Sequence, residues 1–227
     1  MDRFRHRGPT VVNICFHGIG TPDRPLEPGE DEYWISADSY HSILDAVVGD
    51  ERVRLSFDDG NASDVEIGLP GLVARDLTAT FFALAGRLDA DGSLTTDGVR
   101  RLVAAGMGIG THGMDHLPWR GLPPDVMGRE LVAARHELER AAGSPVDDAA
   151  LPRGQYDRRV LGELRRHGYR SVHTSDRRWA REGDWLQPRF SVRRTDTAAT
   201  VRERMLTRAP LLERAERAAV CVIKRYR

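Results

Sequence analysis

The sequence predicts an α/β fold, specifically a distorted (β/α)7-type barrel formed by a single domain of 227 residues. Short apolar runs, of the kind that form buried parallel strands, alternate along the chain with amphipathic stretches of helical period. The strand-like runs number about seven, and a hydrophobic content of 40% is sufficient for a sizeable core. This alternation favours a mainly parallel sheet closed into a barrel.

The predicted elements follow one another as repeated β/α units. Strands are predicted at Val11–Phe16, Arg52–Phe57, Thr78–Leu84, Met107–Thr111, Ala149–Leu151, Ser171–Thr174 and Phe190–Val192. Helices are predicted over 63–75, 96–105, 124–142 and 157–167, and the third has the clearest apolar stripe. A last helical stretch over 198–222 should break at Pro210, because proline lacks the amide that a helix interior needs. We therefore expect a core over about 11–192 and a helical C-terminal segment over about 198–223.

Charge, cysteine content and hydropathy exclude several classes of protein. Lys plus Arg and Asp plus Glu both number 34, so the net charge is zero and the basic excess typical of nucleic-acid-binding proteins is absent. Cys15 and Cys221 are too few for a disulfide framework. No segment reaches the roughly 18 apolar residues of a membrane span, and the charged N-terminus does not resemble a signal peptide. The sequence as it stands predicts a cytoplasmic protein with no nucleic-acid partner, and it favours no oligomeric state.

Two adjacent carboxylates, Asp58 and Asp59, come at the end of the second predicted strand. Gly60 follows and permits a tight turn away from the strand. Ligands of parallel β/α folds collect at this edge, where one acid can bind a cation and the other can act as a base. Taken alone, the motif is equally compatible with a solvated Asp-Asp-Gly turn.

The fourth predicted strand leads into a second motif, which places His112 and His116 four residues apart. This spacing brings both imidazoles to one face if the chain turns helically, as a divalent metal requires. Such a pair also arises by chance in a chain with eight histidines. Together with the acids of the second strand, however, it predicts a His₂-carboxylate set with open coordination positions, which suits metal-assisted hydrolysis.

These two motifs resemble those of the polysaccharide deacetylase family, which contains the NodB homology domain and is also called carbohydrate esterase family 4. The family's Thr/Ser-Phe-Asp-Asp-Gly motif matches residues 56–60. Its His-Ser/Thr-x-x-His motif matches both histidines, although Gly113 replaces the usual hydroxyl residue. The resemblance covers about Val11 to Val192 and implies the same distorted barrel.

The resemblance also implies roles for the matched residues. Asp58 would be the general base, and Asp59, His112 and His116 would bind the metal. We expect Zn²⁺ at such a site, which would also accept Co²⁺, Ni²⁺ or Mn²⁺. The substrate would be an acetylated carbohydrate, and the reaction would be metal-dependent removal of an acetyl group from an N-acetylated sugar.

The chain departs from the family's third motif, Arg-x-Pro-x-Gly, which reads Ala-Leu-Pro-Arg-Gly over 150–154. Ala150 therefore replaces the arginine that orients the base in the family. Arg189, which leads into the last predicted strand, is our first candidate for this role, and Arg153 is the second. A planar guanidinium suits the role because it can hold a carboxylate with two hydrogen bonds.

The later family motifs are also incomplete. The acid of the fourth motif could be Asp176 or Asp184, and we favour Asp176 because it follows a predicted strand. The Leu-His of the fifth motif, which supplies the general acid, has no match after Phe190. His173 and His17 are the available substitutes, and each could equally be a structural histidine at a strand.

Three alternatives to N-deacetylation remain open at this point. A deformylase or an O-acetyl esterase would use the same carbonyl chemistry on the same scaffold. A non-catalytic glycan-binding domain would account for the incomplete motifs, although all four residues needed for the metal and the base are present. Trp119 and Trp185 lie near the motifs and could stack on a sugar ring or cap the core.

Overall fold

Seven parallel strands close into a barrel in the computed structural model, which describes residues 8–226. The strands are β1 (Thr10–Phe16), β2 (Val53–Asp59), β3 (Ala79–Ala83), β4 (Gly108–Thr111), β5 (Asp148–Ala150), β6 (Ser171–Thr174), β7 (Ala180–Arg181) and β8 (Leu186–Ser191). Their order in the sheet is β2-β3-β4-β5-β6-β8-β1, and β1 pairs again with β2 to close the barrel. The predicted barrel is therefore confirmed.

The register of β1 shows how the closure is made. Ile14 of β1 lies opposite Leu55 of β2 on one side and opposite Phe190 of β8 on the other, both in parallel pairing. The two-residue strand β7 lies outside this ring and pairs antiparallel with the start of β1. Neither β7 nor the early start of β8 at Leu186 is predicted by the sequence pattern.

Helices surround the barrel on its outer face. They are α1 (Ala37–Val47), α2 (Leu69–Val73), α3 (Thr96–Ala104), α4 (Pro124–Gly128), α5 (Ala134–Ala142), α6 (Arg158–Arg166), α7 (Ala198–Val201) and α8 (Leu211–Tyr226). Three π-helical segments, at Asp64–Gly68, Arg129–Ala133 and Arg202–Leu206, continue these helices. Residues 207–210 separate the last π-helical segment from α8, so the predicted break at Pro210 is present.

Local signals explain where several helices begin. The hydroxyl of Thr95 accepts a hydrogen bond from the amide of Gly98 at 2.9 Å and caps α3, and the carboxylate of Asp157 caps α6 in the same way. Helix α1 was absent from the sequence prediction. Ser36 caps it, and its buried side chains, Tyr40, Ile43, Leu44 and Val47, have the i, i+3, i+4, i+7 spacing of a helix face.

The pleat of the strands separates an apolar layer from a polar barrel interior. Successive side chains on a strand point to opposite faces. Phe57 therefore points outward, where its ring stacks on Phe81 at 4.5 Å and contacts Tyr40 of α1. Its neighbours Ser56 and Asp58 point inward, where both contact Arg189 of β8. The main hydrophobic core thus lies between strands and helices, and the barrel axis carries charged and polar groups.

None of the described helices combines the length and the apolar character needed to cross a bilayer.

Candidate metal and catalytic site

An open cavity of about 350 Å³ lies at the carboxyl ends of the barrel strands. Its lining joins the two predicted motifs to residues from the long loop after β1 and from β8. The lining includes His17, Glu27, Tyr33, Asp58, Asp59, His112, His116, Arg153, Ser175, Arg189 and Ser191. The two motifs thus meet at the edge of the barrel where β/α folds usually bind their ligands.

Asp59, His112 and His116 meet in this cavity, and one atom of each lies within 4.8 Å of the others. The Nε2 atoms of His112 and His116 both lie 3.5 Å from Oδ1 of Asp59. Asp59 and His116 adopt φ angles of 77° and 60°, the left-handed region that non-glycine residues rarely occupy. Backbone conformations of this kind concentrate at functional sites.

The hydrogen bonds around this cluster leave three lone pairs facing one another. Nδ1 of His112 lies 3.0 Å from the carbonyl of Ala150, and Nδ1 of His116 lies 2.7 Å from a carboxylate oxygen of Glu27. Each Nδ1 therefore donates its proton, and each Nε2 keeps an acceptor lone pair. Oδ1 of Asp59 is buried and has no hydrogen-bond partner among the described residues. These three atoms fit a divalent metal.

Burial also favours the neutral, metal-binding form of His112. The side chain is almost fully enclosed, and desolvation lowers its pKa to about 4 although the Asp58 carboxylate acts in the opposite direction. An imidazole that stays neutral at physiological pH does not need to lose a proton when it binds a cation.

Asp58 is held by Arg189 in a buried, two-point ion pair. Nη1 of Arg189 donates to Oδ1 and Nη2 donates to Oδ2, both at 2.6 Å, and Nη1 also lies 3.1 Å from the hydroxyl of Ser56. The guanidinium further lies 5.2 Å from the centre of the Phe82 ring. Burial would raise the pKa of Asp58, but the charge and hydrogen bonds of Arg189 outweigh it and hold that pKa well below its usual range.

Glu130 organises the loop that contains the two histidines. It is fully buried, and its carboxylate accepts hydrogen bonds from the amides of Met114 and Asp115 and from the indole of Trp119, at 2.9, 3.1 and 3.2 Å. Gly113 has a φ of +91°, and a Cβ there would lie 2.3 Å from Oε2 of Glu130. Glu130 therefore occupies the space that a side chain at position 113 would need, which explains why glycine stands where the family has a hydroxyl residue.

Glu27 is the main contributor to the site that the sequence did not predict. It lies in the loop after β1, where its carboxylate contacts His116, Arg87 and Arg153. Arg153, our second candidate for orienting the base, thus binds Glu27 at 2.7 Å and not Asp58. The loop over 21–32 contains five acidic residues, and no spacing distinguishes Glu27 from the others, so only its contact with His116 identifies it.

The two histidines proposed as general acids lie in different places. His17 lines the cavity at the end of β1, its ring lies 4.8 Å from that of Tyr33, and its buried Nδ1 has no partner among the described residues. His173 lies outside this cavity: its Nε2 is 3.0 Å from the hydroxyl of Ser171, and it lines a second cavity formed by the amino-terminal halves of the strands. The structure therefore does not bring His173 to the Asp59–His112–His116 cluster.

Neither acid proposed for the fourth motif lines the cavity. Asp176 accepts hydrogen bonds from Tyr156, Thr174 and Lys224, each at 2.8 Å, so it connects α8 to the barrel. Asp184 is exposed in the turn before β8 and lines the second cavity, the one at the amino-terminal halves of the strands. The carboxylate that contacts His116 comes from Glu27 instead.

Both tryptophans near the motifs cap the core. Trp119 is fully buried with its indole on Glu130, so it cannot stack on a sugar ring in this conformation. Trp185 donates to the carbonyl of Tyr169 at 2.8 Å and is covered by Arg165. The aromatic ring that does line the cavity is Tyr33.

A second group of potential ligands, Cys15, His17 and Asp58, also lies within 4.8 Å. Its carboxylate is already occupied by Arg189, and the Cys15 thiol points to the carbonyl of Phe16 at 3.3 Å. Burial raises the pKa of Cys15 well above its usual value, so this thiol remains protonated. The Asp59 cluster, with its unpartnered oxygen, is the better metal site.

Comparison with known proteins agrees with the resemblance found in the Asp58-Asp59 and His112–His116 motifs. The family model of polysaccharide deacetylases matches residues 45–172, more than half of the chain. The chain belongs to the polysaccharide deacetylase family. The Bacillus subtilis (strain 168) protein YxkH, assigned as a polysaccharide deacetylase, is 23% identical over 124 residues. That match covers 55% of this chain and 44% of YxkH, so the chain spans less than half of this curated relative.

Solved deacetylase structures share the fold. BA0330 from Bacillus anthracis, described as a polysaccharide deacetylase, aligns with a TM-score of 0.76 at 18% identity over 87% of this chain and 69% of that one. The Streptococcus pyogenes deacetylase PplD aligns with a TM-score of 0.73 at 18% identity over 87% and 99% of the two chains. The barrel predicted from the sequence is thus the barrel of these polysaccharide deacetylases.

Removing either histidine should abolish metal binding. His112→Ala and His116→Ala each delete one of three ligands, and we expect at least a 100-fold loss of Zn²⁺ affinity, comparable to or larger than losses from outer-shell changes. The measurement is titration calorimetry on metal-free protein, with bound metal quantified by elemental analysis. His136→Ala, an exposed position on α5, is the matched control and should bind like the wild type. Full metal occupancy in the double variant H112A/H116A would show that the site is elsewhere.

Glu130→Gln should weaken both the fold and the metal site. Glutamine has one acceptor oxygen, so at least one of the three donors loses its partner, and we expect a loss of about 2–3 kcal/mol in the free energy of unfolding. The measurement is denaturant unfolding of the metal-free protein. Glu137→Gln removes an exposed carboxylate from α5 and is the control, with an expected change below about 0.5 kcal/mol. Equal stability of the two variants would contradict the role of Glu130.

Proposed function

We propose that this protein is a metal-dependent hydrolase that removes the acetyl group from an N-acetylated sugar in a glycan or glycoconjugate. The observation that carries this proposal is the joint placement of the Asp59–His112–His116 cluster and the Asp58–Arg189 pair in one open cavity. Three free lone pairs and a separate ionised carboxylate are the groups that metal-assisted hydrolysis needs.

The three ligands fit a resident Zn²⁺, and their nitrogen and oxygen atoms would also accept Co²⁺, Ni²⁺ or Mn²⁺. When bound, the ion supplies Lewis-acid polarisation of the acyl carbonyl and a lower pKa for water. Glu27 and the Ala150 carbonyl hold the two imidazoles so that Nε2 of each faces Asp59. The chain therefore presents the ligand atoms already oriented.

Asp58 acts as the general base in this proposal. It stays ionised because Arg189 binds both of its oxygens, and each oxygen retains a lone pair that can accept a proton from the attacking water. Oδ2 of Asp58 lies 3.9 Å from Nε2 of His112, so the base is close to the metal ligands without being one of them. Arg189 is a positioning residue, since it holds the plane of the carboxylate.

His17 is our proposal for the general acid that protonates the leaving amine. Imidazole is the side chain that most often serves this purpose in enzymes. His17 lines the same cavity as Asp58 and has a buried, unpartnered Nδ1, whereas His173 is directed to the other end of the barrel. The proposal thus moves the role of general acid from His173 to His17.

The choice of acetyl as the acyl group that is transferred to water is supported by a structural neighbour. The Streptococcus pyogenes deacetylase PplD was solved in complex with acetate, the product expected of such a reaction. A sugar-bearing substrate is consistent with the open cavity and with Tyr33 at its wall, since aromatic rings pack against the apolar face of sugars.

Asp58→Asn should abolish turnover while leaving the metal bound. The substitution keeps the shape and an acceptor for Arg189 but removes the base, which typically costs about 10²–10⁴-fold in rate. Asp59→Asn should instead lose metal, since Asp59 supplies a ligand. Paired measurements of kcat and metal content distinguish the two variants. Equal metal loss in both would show that the two acids share the roles or exchange them.

Arg189→Lys should reduce kcat by roughly 10–100-fold, the range for residues that orient an active group. Lysine keeps the buried charge but offers one ammonium in place of two parallel N–H groups. Metal content should remain close to wild type, since Arg189 binds Asp58 and none of the three metal-site side chains. Arg153→Lys is the control, because Arg153 lines the same cavity without contacting Asp58. Similar kcat values for Arg189→Lys and wild type would remove Arg189 from the mechanism.

The decisive experiment for the whole proposal is an acyl-release assay on metal-reconstituted protein. The panel contains N-acetylglucosamine oligomers, O-acetylated sugars and N-formylated sugars, and the readout is acetate or formate released. Acetate from the N-acetylated substrates, lost in Asp58→Asn, supports the proposal. Release only from the esters or the formamides would reassign the scissile group, and no release from any substrate would leave a glycan-binding role.

A further inference from the structure

The exposed apolar side chains of this protein are concentrated on one helix. Among the described residues, nine large apolar side chains are exposed, and six of these belong to α8. Leu211, Leu212 and Tyr226 are 78%, 74% and 77% exposed. Scattered surface leucines are ordinary, but a contiguous apolar surface of this kind indicates an interaction.

Helix α8 is attached to the barrel through its polar side. Lys224 donates to Asp176 at 2.8 Å and lies over the ring of Tyr156, and Arg217 donates to the carbonyl of Arg177. Cys221, on the same side, is 3% exposed. An amphipathic helix usually buries its apolar face against the core. Here the apolar face is the outer one.

The outward side chains form a continuous stripe, which we call the α8 stripe. At about 3.6 residues per turn, residues three, four or seven apart lie next to one another on a helix. The stripe comprises Leu211, Leu212, Ala215, Ala219, Val222, Ile223 and Tyr226, all of them exposed. It runs the whole length of the 16-residue helix.

A group of arginines lies beside this stripe. A cavity of about 230 Å³ between β7, β8 and the C-terminal helices is lined by Arg178, Arg181, Arg204, Arg208 and Arg217. None of its described lining residues is acidic. Glu213 binds Arg217, whereas Arg204 and Arg208 are exposed and have no ion-pair partner among the described residues. A chain with zero net charge thus has a locally cationic surface.

The arginine cavity and the α8 stripe are contiguous. Ala218 lines the cavity, and it is seven residues after Leu211 and four residues before Val222, so the three lie on adjoining parts of the helix surface. Arg208 precedes Leu211 by only three residues. Apolar side chains in a row with cations along one border are the composition of helices that lie in the interface of an anionic bilayer.

We propose that the α8 stripe and the bordering arginines bind the surface of a membrane rich in anionic lipid. The stripe would enter the boundary between headgroups and acyl chains, and Arg204 and Arg208 would contact lipid phosphates. A second copy of the chain could cover the stripe but would offer only another apolar face, with no anions for the arginines. An anionic bilayer supplies both an apolar layer for the stripe and phosphates for the arginines. This inference is independent of the proposed hydrolysis.

The test is co-sedimentation of the full chain with lipid vesicles. We expect at least tenfold stronger partitioning onto phosphatidylglycerol–phosphatidylcholine vesicles than onto pure phosphatidylcholine, and binding should fall as NaCl is raised. R204Q/R208Q should weaken it at least tenfold, since one basic residue near an anionic surface contributes about a factor of five. L212S/I223S should weaken it similarly, because the stripe loses apolar area.

Matched double variants elsewhere on the surface control for general changes in charge and hydropathy. R100Q/R101Q removes two exposed arginines from α3, and V48S/V73S removes two exposed valines, so both should partition like the wild type. Hydrolysis of a water-soluble substrate should be unchanged in every variant, which separates this proposal from the proposed function.

Three outcomes would overturn the proposal. Equal partitioning onto both vesicle types would remove the role of the arginines. Light scattering that shows a dimer, converted to a monomer by L212S/I223S, would assign the stripe to a second copy. If L212S/I223S bound vesicles as strongly as the wild type, and inorganic pyrophosphate abolished that binding, the arginine cavity would instead be a site for free phosphates.

Discussion

The buried ion pair between Asp58 and Arg189 is the interaction on which the arrangement of the site depends. Two charges enclosed inside a barrel are costly to desolvate, and the cost is offset here because both carboxylate oxygens receive a short hydrogen bond. The pair joins β2 to β8, the two strands that flank β1 in the barrel. It therefore sets the orientation of Asp58, and Asp59, its neighbour on the strand, faces the two histidines.

Acidic side chains from distant parts of the chain hold the rest of the site. Glu130 binds the backbone of the loop between His112 and His116, and Glu27 binds the imidazole of His116 itself. A loop held by two carboxylates in this way would need little rearrangement to take up a cation. The requirement for Glu130 also explains why a residue without a side chain occupies position 113.

The sequence predicted the barrel and the meeting of Asp59, His112 and His116 because both depend on local signals. Carboxylates at a strand end and two histidines four residues apart can be recognised in the sequence without knowledge of the fold. Arg189 could be predicted as the partner of Asp58 because Ala150 stands where the family has its arginine, so another arginine was needed. Glu27, in contrast, acts through a contact with a residue 89 positions away, and no periodicity marks it. His173 lies toward the amino-terminal end of the barrel, where it lines the other cavity, and Asp176 is held by Tyr156, Thr174 and Lys224; neither arrangement can be read from the sequence.

The arginine that binds Asp58 lies on β8 and not at the end of β5, where the family motif has its arginine, and this has a consequence for how related chains are recognised. All strands of a closed barrel face a common axis, so a guanidinium can reach one carboxylate from several positions along the sequence. Natural variation can then move a functional group between strands while its spatial position is kept. Surveys that demand the arginine at its usual place would discard such chains as inactive, whereas a criterion based on charge balance inside the barrel would retain them.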